Sequence, residues 1–305
     1  MSENSLFDVP VQHVAVNGVD IAFRTAGTGP ALLLAHGHPQ THVMWHKVWP
    51  TLTRHFTCIA VDLRGYGDSE KPQGGDRHEG YSKRVMARDF VDLMEHLGHD
   101  HFDILAHDRG ARVMHRLALD HPVRVGRMML LDIAPTLDMY EGTTRDFAQA
   151  YFHWFFLIQP APLPDRMIES DPPFYIRSVM GGRHAGLAPF TEQALAEYER
   201  CSRKPGWAHA ICEDYRASNT IDLEHDREDR ANGINLTCPT RVLWGGKGVV
   251  GKHFRVLDLW RNVADQVDGH ALDSGHYIAE EAPEALIAEV QDFFKLSSNQ
   301  TETFS

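Results

Sequence analysis

Residues 102–112 read Phe-Asp-Ile-Leu-Ala-His-Asp-Arg-Gly-Ala-Arg, and their order decides the fold. An apolar run of strand length, 102–106, leads into Ala106-His107-Asp108-Arg109-Gly110, and a helix-like stretch, 109–119, follows and stops just before Pro122. Small residues two places on either side of position 108 suit a strand-to-helix turn too tight for larger side chains, with an aspartate where a nucleophile stands. Such a turn lifts residue 108 to the carboxyl end of its strand. There the free N–H groups and dipole of the next helix favour an anion. Taken alone, Asp108 reads equally well as a helix N-cap, so its companions must decide.

Four more apolar runs have strand character: 31–35, 58–62, 128–132 and 241–244. Segments 13–16 and 20–24 flank Asn17-Gly18 and predict an N-terminal hairpin. Helix-like stretches such as 83–97 alternate with the strands, which implies an α/β fold with a mostly parallel sheet covered on both faces. The interval from Asp132 to Arg241 is far longer than one crossover helix requires. It holds helix-like pieces at 146–158, 191–203 and 208–217. The expected organisation is a core of residues 1–136 and 233–305, with a helical cap, 137–232, inserted over the sheet edge. An amphipathic helix at 283–295 closes the core, and the tail 297–305 is expected to fray.

Bulk properties narrow the function. The chain has 305 residues, 43% hydrophobic and 24% charged, as in soluble globular proteins. A formal charge of −12 and the lack of a basic stripe argue against nucleic acid. No apolar run spans a bilayer and the N-terminus lacks the pattern of a signal peptide. The scattered cysteines, Cys58, Cys201, Cys212 and Cys238, read as reduced thiols of a cytoplasmic protein.

Three further motifs accompany the elbow. His36-Gly37-His38-Pro39 follows the strand 31–35; Asp62-Leu-Arg-Gly-Tyr-Gly-Asp-Ser69 follows the strand 58–62 and reads as structural; Ser274-Gly275-His276 precedes the last helix. This order resembles the α/β-hydrolase fold. The resemblance implies that backbone N–H groups at His38 and Arg109 form an oxyanion hole and that His276 is the base. Many relatives place the histidine's supporting acid after a Leu-Trp-Gly strand, but Leu243-Trp-Gly-Gly-Lys-Gly-Val-Val-Gly-Lys252 holds no acid. An aspartate is available one strand earlier, in Met128-Met-Leu-Leu-Asp132, which makes the order Asp108, Asp132, His276. No third ligand sits at a metal-like spacing from His36 and His38, so no metal is expected.

Asp108-Arg109-Gly-Ala-Arg112, Asp132, His153-Trp154 and Tyr215 together resemble the fluoroacetate (haloacetate) dehalogenases over nearly the whole chain. The resemblance implies that Asp108 is the nucleophile and that Arg109 and Arg112 bind the substrate carboxylate. His153, Trp154 and Tyr215 would form the halide pocket, and the protein would be a homodimer without cofactor. His38 stands where many relatives carry phenylalanine. Physically, two arginines three apart share a helix side and would fix an anionic substrate bidentately beside an anionic nucleophile. One such contact at about 4 Å is worth roughly 4 kcal/mol at an effective dielectric near 20, enough locally to outweigh a screened global charge. His153 and Trp154 are otherwise readable as cap core.

The expected reaction is hydrolysis of a small 2-haloacid through an Asp108 ester. An epoxide hydrolase shares the Asp nucleophile; it would use cap tyrosines among Tyr151, Tyr175, Tyr198 and Tyr215 but would leave the arginines idle. The arginines also disfavour a neutral haloalkane. A serine esterase is excluded by residue 108, and a ligand-binding receptor is opposed by the complete Asp–Asp–His set.

Overall fold

The computed structural model of the protein describes residues 5–296; the tail expected to fray lies outside them. Eight strands form one sheet: β1 (Gln12–Val16), β2 (Val19–Ala26), β3 (Ala31–Ala35), β4 (Thr57–Val61), β5 (Phe102–His107), β6 (Val125–Leu131), β7 (Thr240–Gly245) and β8 (Val267–Leu272), in the spatial order β1-β2-β4-β3-β5-β6-β7-β8. The β1–β2 hairpin turns at Asn17-Gly18, both at positive φ, the geometry for which Asn-Gly is the best pair. β2 meets β4 antiparallel, and every pairing from β4 to β8 is parallel.

Parallel strands covered on both faces bury every side chain. That explains why β3 is Ala-Leu-Leu-Leu-Ala and fully buried. The edge strand β8, Val-Asp-Gly-His-Ala-Leu, is mostly exposed and shows no apolar run, so sequence patterning does not reveal it. Each predicted strand is present, and the ends differ by at most three residues.

Because these strands run parallel in register, their carboxyl ends share one edge. Ala35 pairs with Ala106, His107 with Leu131, Leu131 with Leu243, and Gly245 with Leu272. The loops that follow therefore gather residues 36–40, 108, 132 and 273–277 at one place.

Between β6 and β7 the chain forms eight helices and no strand: Thr136–Glu141, Arg145–Ala150, Phe152–Leu157, Leu163–Glu169, Pro172–Gly181, Glu192–Ser202, Trp207–Ser218 and Ile221–Ala231. Their starts follow from local chemistry. Thr144, Asp171 and Thr191 each cap a helix by accepting a backbone N–H three residues on. The stretch expected as one helix over 146–158 is two, broken at Tyr151, whose φ of −111° and ψ of 38° leave the helical region.

The elbow is held by close approach. A Cβ added to Gly110 would lie 2.4 Å from the His36 carbonyl oxygen, and one added to Gly37 would lie 2.5 Å from Asp108 Cβ. Backbone cannot yield as a flexible side chain can. Gly110→Ala is expected to destabilise the fold by about 3 kcal/mol, read as a lower denaturant midpoint.

Candidate active site

Asp108 opens the helix Asp108–Asp120 with φ +42°, a strained conformation for a residue with a side chain. Its Oδ2 accepts a hydrogen bond from the His38 backbone N–H at 3.1 Å. Burial alone would raise its pKa, but His276, with Arg112 and Arg109, outweighs burial and holds the carboxylate well below its ordinary range. Asp108 is thus a buried anion.

Asp132 stands just past β6 with φ +52°. Its Oδ2 lies 2.5 Å from His276 Nδ1, while its Oδ1 accepts the Gly245 N–H at 2.9 Å. The carboxylate therefore fixes the Nδ1–H tautomer and leaves Nε2 free as a proton acceptor. His107, just before the elbow, donates Nε2–H to the His276 carbonyl at 2.9 Å and packs its ring 4.6 Å from that of His276. Burial, helped by His276, pushes the His107 pKa down to about 3, so this strut stays neutral.

The two arginines are buried but not free. Arg109 spends Nε and Nη2 on a bidentate pair with Asp214, each bond 2.8 Å, and Nη2 also donates to the Asp214 carbonyl and to Ser218 Oγ. Its guanidinium lies 4.1 Å from the Tyr215 ring centroid. Arg112 gives Nη1 to the Ala134 carbonyl and Thr136 Oγ1, and stands 4.8 Å over the Trp154 ring. Nη1 of Arg109 and Nε of Arg112 have no hydrogen-bond partner in the protein. The bidentate fork expected for a ligand is thus occupied on Arg109, and one nitrogen of each arginine remains.

Asp214 was not singled out from the sequence. It also binds Lys83 Nζ and accepts from Tyr66 O–H at 2.7 Å, and these cations hold its carboxyl far below the usual range against burial. Its residue type was visible in Cys212-Glu-Asp-Tyr-Arg216, but its partners are 105 and 131 positions away.

His153 and Trp154 sit on the helix Phe152–Leu157 and Tyr215 on the helix Trp207–Ser218. The structure brings them together: the ring centroids of Tyr215 lie 5.9 Å from His153 and 6.4 Å from Trp154. Trp154 Nε1 and the Tyr215 hydroxyl are buried without a partner, as is the Tyr151 hydroxyl. Burial drives the His153 pKa well below its ordinary value, with Arg183 and His38 adding to the effect.

His38 stacks on His153 with centroids 6.1 Å apart and planes 9° apart. Its Nε2 lies 3.0 Å from the Tyr175 hydroxyl, its Nδ1 has no partner, and burial lowers its pKa to about 3. Tyr175, unassigned by sequence except as a candidate epoxide tyrosine, is thus the hydrogen-bond partner of His38.

His36 is used up structurally: Nδ1 meets the Gly37 carbonyl at 2.9 Å and Nε2 accepts the Leu63 N–H at 3.1 Å. Among the described residues the only cluster with metal-like spacing is Asp68, Glu197 and Cys201, whose carboxylates are engaged by Arg200 and Lys204.

Residues 30–283 match the family of the α/β hydrolase fold. A fluoroacetate dehalogenase from Burkholderia sp is 41% identical, with 92% of each chain covered. A soluble epoxide hydrolase from Corynebacterium sp. (strain C12) is 34% identical, covering 92% of this chain and 95% of that one. A solved α/β-hydrolase structure from Nostoc sp PCC 7120 superimposes with TM-score 0.92 at 49% identity, over 95% of this chain and 99% of that chain. The chain belongs to the α/β-hydrolase family, and within it to the relatives of the fluoroacetate dehalogenases.

Removing the charge of Asp214 would leave buried Arg109 without a carboxylate and Lys83 with Asp222 alone, 3.3 Å away. Asp214→Asn is expected to cost about 3–5 kcal/mol of stability, measured by chemical denaturation.

Glu280, buried against Gln40 and Tyr198, ties the loop after β3 to the loop carrying His276. Burial raises its pKa from 4.5 to about 8. The folded form therefore holds the proton more tightly than the unfolded one. Its stability contribution is intact below pH 4.5 and is lost progressively until pH passes about 8. The melting temperature is expected to fall between those limits, and to fall less in Glu280→Gln.

Proposed function

We propose that this hydrolase removes halide from small 2-haloacids, with fluoroacetate and chloroacetate as the simplest cases. The observation that carries the reading is the set of buried donors around Asp108. Arg109 Nη1, Arg112 Nε, Trp154 Nε1 and the Tyr215 hydroxyl lack protein partners. A buried anion ringed by unpaired cationic and neutral donors suits a substrate with one carboxylate and one departing anion. The likeness to a fluoroacetate dehalogenase supports the same substrate class.

In the first step an Asp108 carboxylate oxygen attacks the α-carbon in line with the carbon–halogen bond. The carbon–halogen bond breaks, halide departs towards His153, Trp154 and Tyr215, and an ester forms on Asp108. Arg109 and Arg112 hold the substrate carboxylate through one nitrogen each. Their charge offsets the repulsion between two anions that would otherwise oppose attack.

In the second step His276 Nε2 takes a proton from water, with Asp132 orienting the ring and stabilising the imidazolium. The hydroxide adds to the Asp108 carboxyl carbon. Backbone N–H groups of His38 and Arg109 stabilise the oxyanion. Collapse expels the alkoxide of the 2-hydroxyacid, which takes the proton from His276, and the Asp108 carboxylic acid releases its proton to solvent to restore the carboxylate. These steps need no cofactor or metal. The helical segment 137–232 acts as the cap that supplies the halide donors and excludes water. A cytoplasmic homodimer belongs to the same reading, from cysteine usage and family resemblance.

One observation favours a second reading, epoxide hydrolysis: the Tyr151 and Tyr215 hydroxyls are both buried and unpartnered, as donors to an epoxide oxygen would be. Halide release from fluoroacetate and chloroacetate, measured with ion-selective electrodes beside diol formation from simple epoxides, separates the two. Under the haloacid reading Asp108→Asn loses activity about a thousandfold or more. His276→Asn releases about one halide per site and then stops, because the ester persists. Diol without halide would overturn the haloacid reading.

A further inference from the structure

The reacting groups are closed off: Asp108, Arg109, Arg112 and Tyr215 are each at most 4% exposed. His153, itself only 3% exposed, forms part of the inner wall of an open cavity of about 540 Å³. That wall has two sources. The helical segment contributes Gln149, Ser178 and Arg183, and the chain after β7 contributes Lys252 and His253.

Arg183 spans the boundary between cavity and site. Its Nη2 lies 3.5 Å from His153 Nε2, and its guanidinium carbon lies 4.5 Å from the Tyr151 ring centroid. Its Nε is buried with no hydrogen-bond partner. The contrast with neighbouring cations is informative: Arg177 holds Glu199 at 2.6 Å and Lys247 holds Asp273 at 2.7 Å. Arg183 and Lys252 form no ion pair among the described residues. The acid in the wall, Asp146, lies 3.3 Å from Arg145.

We propose that this cavity is an outer anion site, in which Lys252 and Arg183 capture the carboxylate of a small 2-haloacid from solvent. Arg183 then passes it across His153 towards Arg109 and Arg112. The proposal rests on the haloacid reading and adds to it a capture site and a residue that controls entry. The physical need is plain. A chain of formal charge −12 repels an anionic substrate at long range. Two unpaired cations at a concave, open cavity, Lys252 of them exposed to solvent, reverse that field locally, in a way that salt screens. A guanidinium resting on a tyrosine face, beside a neutral imidazole and the Tyr277 hydroxyl, can swing without breaking an ion pair. Halide and 2-hydroxyacid leave by the same route, since both are anions.

The test compares wild type with Arg183→Met, Arg183→Lys and Lys252→Gln, with unchanged circular dichroism spectra as the folding control. Chloroacetate turnover is measured at low and high ionic strength. Arg183→Met is expected to lower kcat/KM about tenfold at low ionic strength, with the loss carried by KM and a flattened salt dependence. Arg183→Lys recovers most of that loss, and Lys252→Gln loses less. A kcat/KM and salt dependence equal to wild type, or a loss confined to kcat, would overturn the capture role. Calorimetric titration with acetate, which cannot react, separates this proposal from the haloacid reading. Acetate binding weakened about tenfold by Arg183→Met upholds the anion site even if no haloacid is turned over. Acetate binding indifferent to Arg183 sinks it even if halide release is intact.

Discussion

Asp108 can sit where it does only because the chain on both sides of it is nearly bare. A side-chain-bearing residue at φ +42° is strained, and the strain is held by close packing: the Asp108 and His107 side chains lie against Gly37, and the Ala35–His36 backbone against Gly110. That close approach brings the loop after β3 under the carboxylate and allows the His38 N–H to reach Oδ2. It also aims the first turn of the next helix, and so Arg109 and Arg112, towards the same space. A looser turn would separate the carboxylate from both the donors behind it and the cations beside it.

The second constraint is the cost of collecting charge in a dry place. Asp108, Arg109, Arg112, Asp132 and Asp214 are all nearly inaccessible, and a buried charge without a partner is strongly destabilising. The solution is unequal sharing. Asp214 takes the fork of Arg109 and the ammonium of Lys83, so Asp108 need not neutralise Arg109 alone. Aromatic faces do the rest: Tyr215 and Trp154 support the two guanidiniums from one side. The imidazoles avoid the problem by remaining neutral, as His38 and His107 do at ordinary pH.

Much of this was legible in the chain. Strands buried on both faces are written as apolar runs, and the elbow's small-x-Asp-x-small spacing is local, so β3 to β7 and Asp108 could be read directly. Of the residues carried over from the family resemblance, Asp132 and His276 lie side by side, and His153 and Trp154 both lie beside Tyr215. The illegible parts were those fixed by distant partners. β8 is an exposed edge without an apolar run. Asp214 reveals itself only through Arg109 and Lys83, and Tyr175 only through His38. Arg183 reads as one more surface cation until Tyr151 and His153 are seen beneath it. The break at Tyr151 escaped because helical periodicity continues across it.

The division of labour between the two layers has an evolutionary consequence. Asp108, Asp132 and His276 all stand just past the carboxyl ends of core strands, whereas His153, Trp154, Tyr175, Arg183 and Tyr215 all come from helices and turns inserted between β6 and β7. The insertion starts and ends on adjacent parallel strands, so its length and sequence can drift without moving the spacing of the core groups. On the proposed mechanism, ester hydrolysis is inherited with the sheet, while leaving-group preference and substrate entry are adjustable separately. Selection can therefore retune what the enzyme accepts in small steps, each preserving a working second half-reaction.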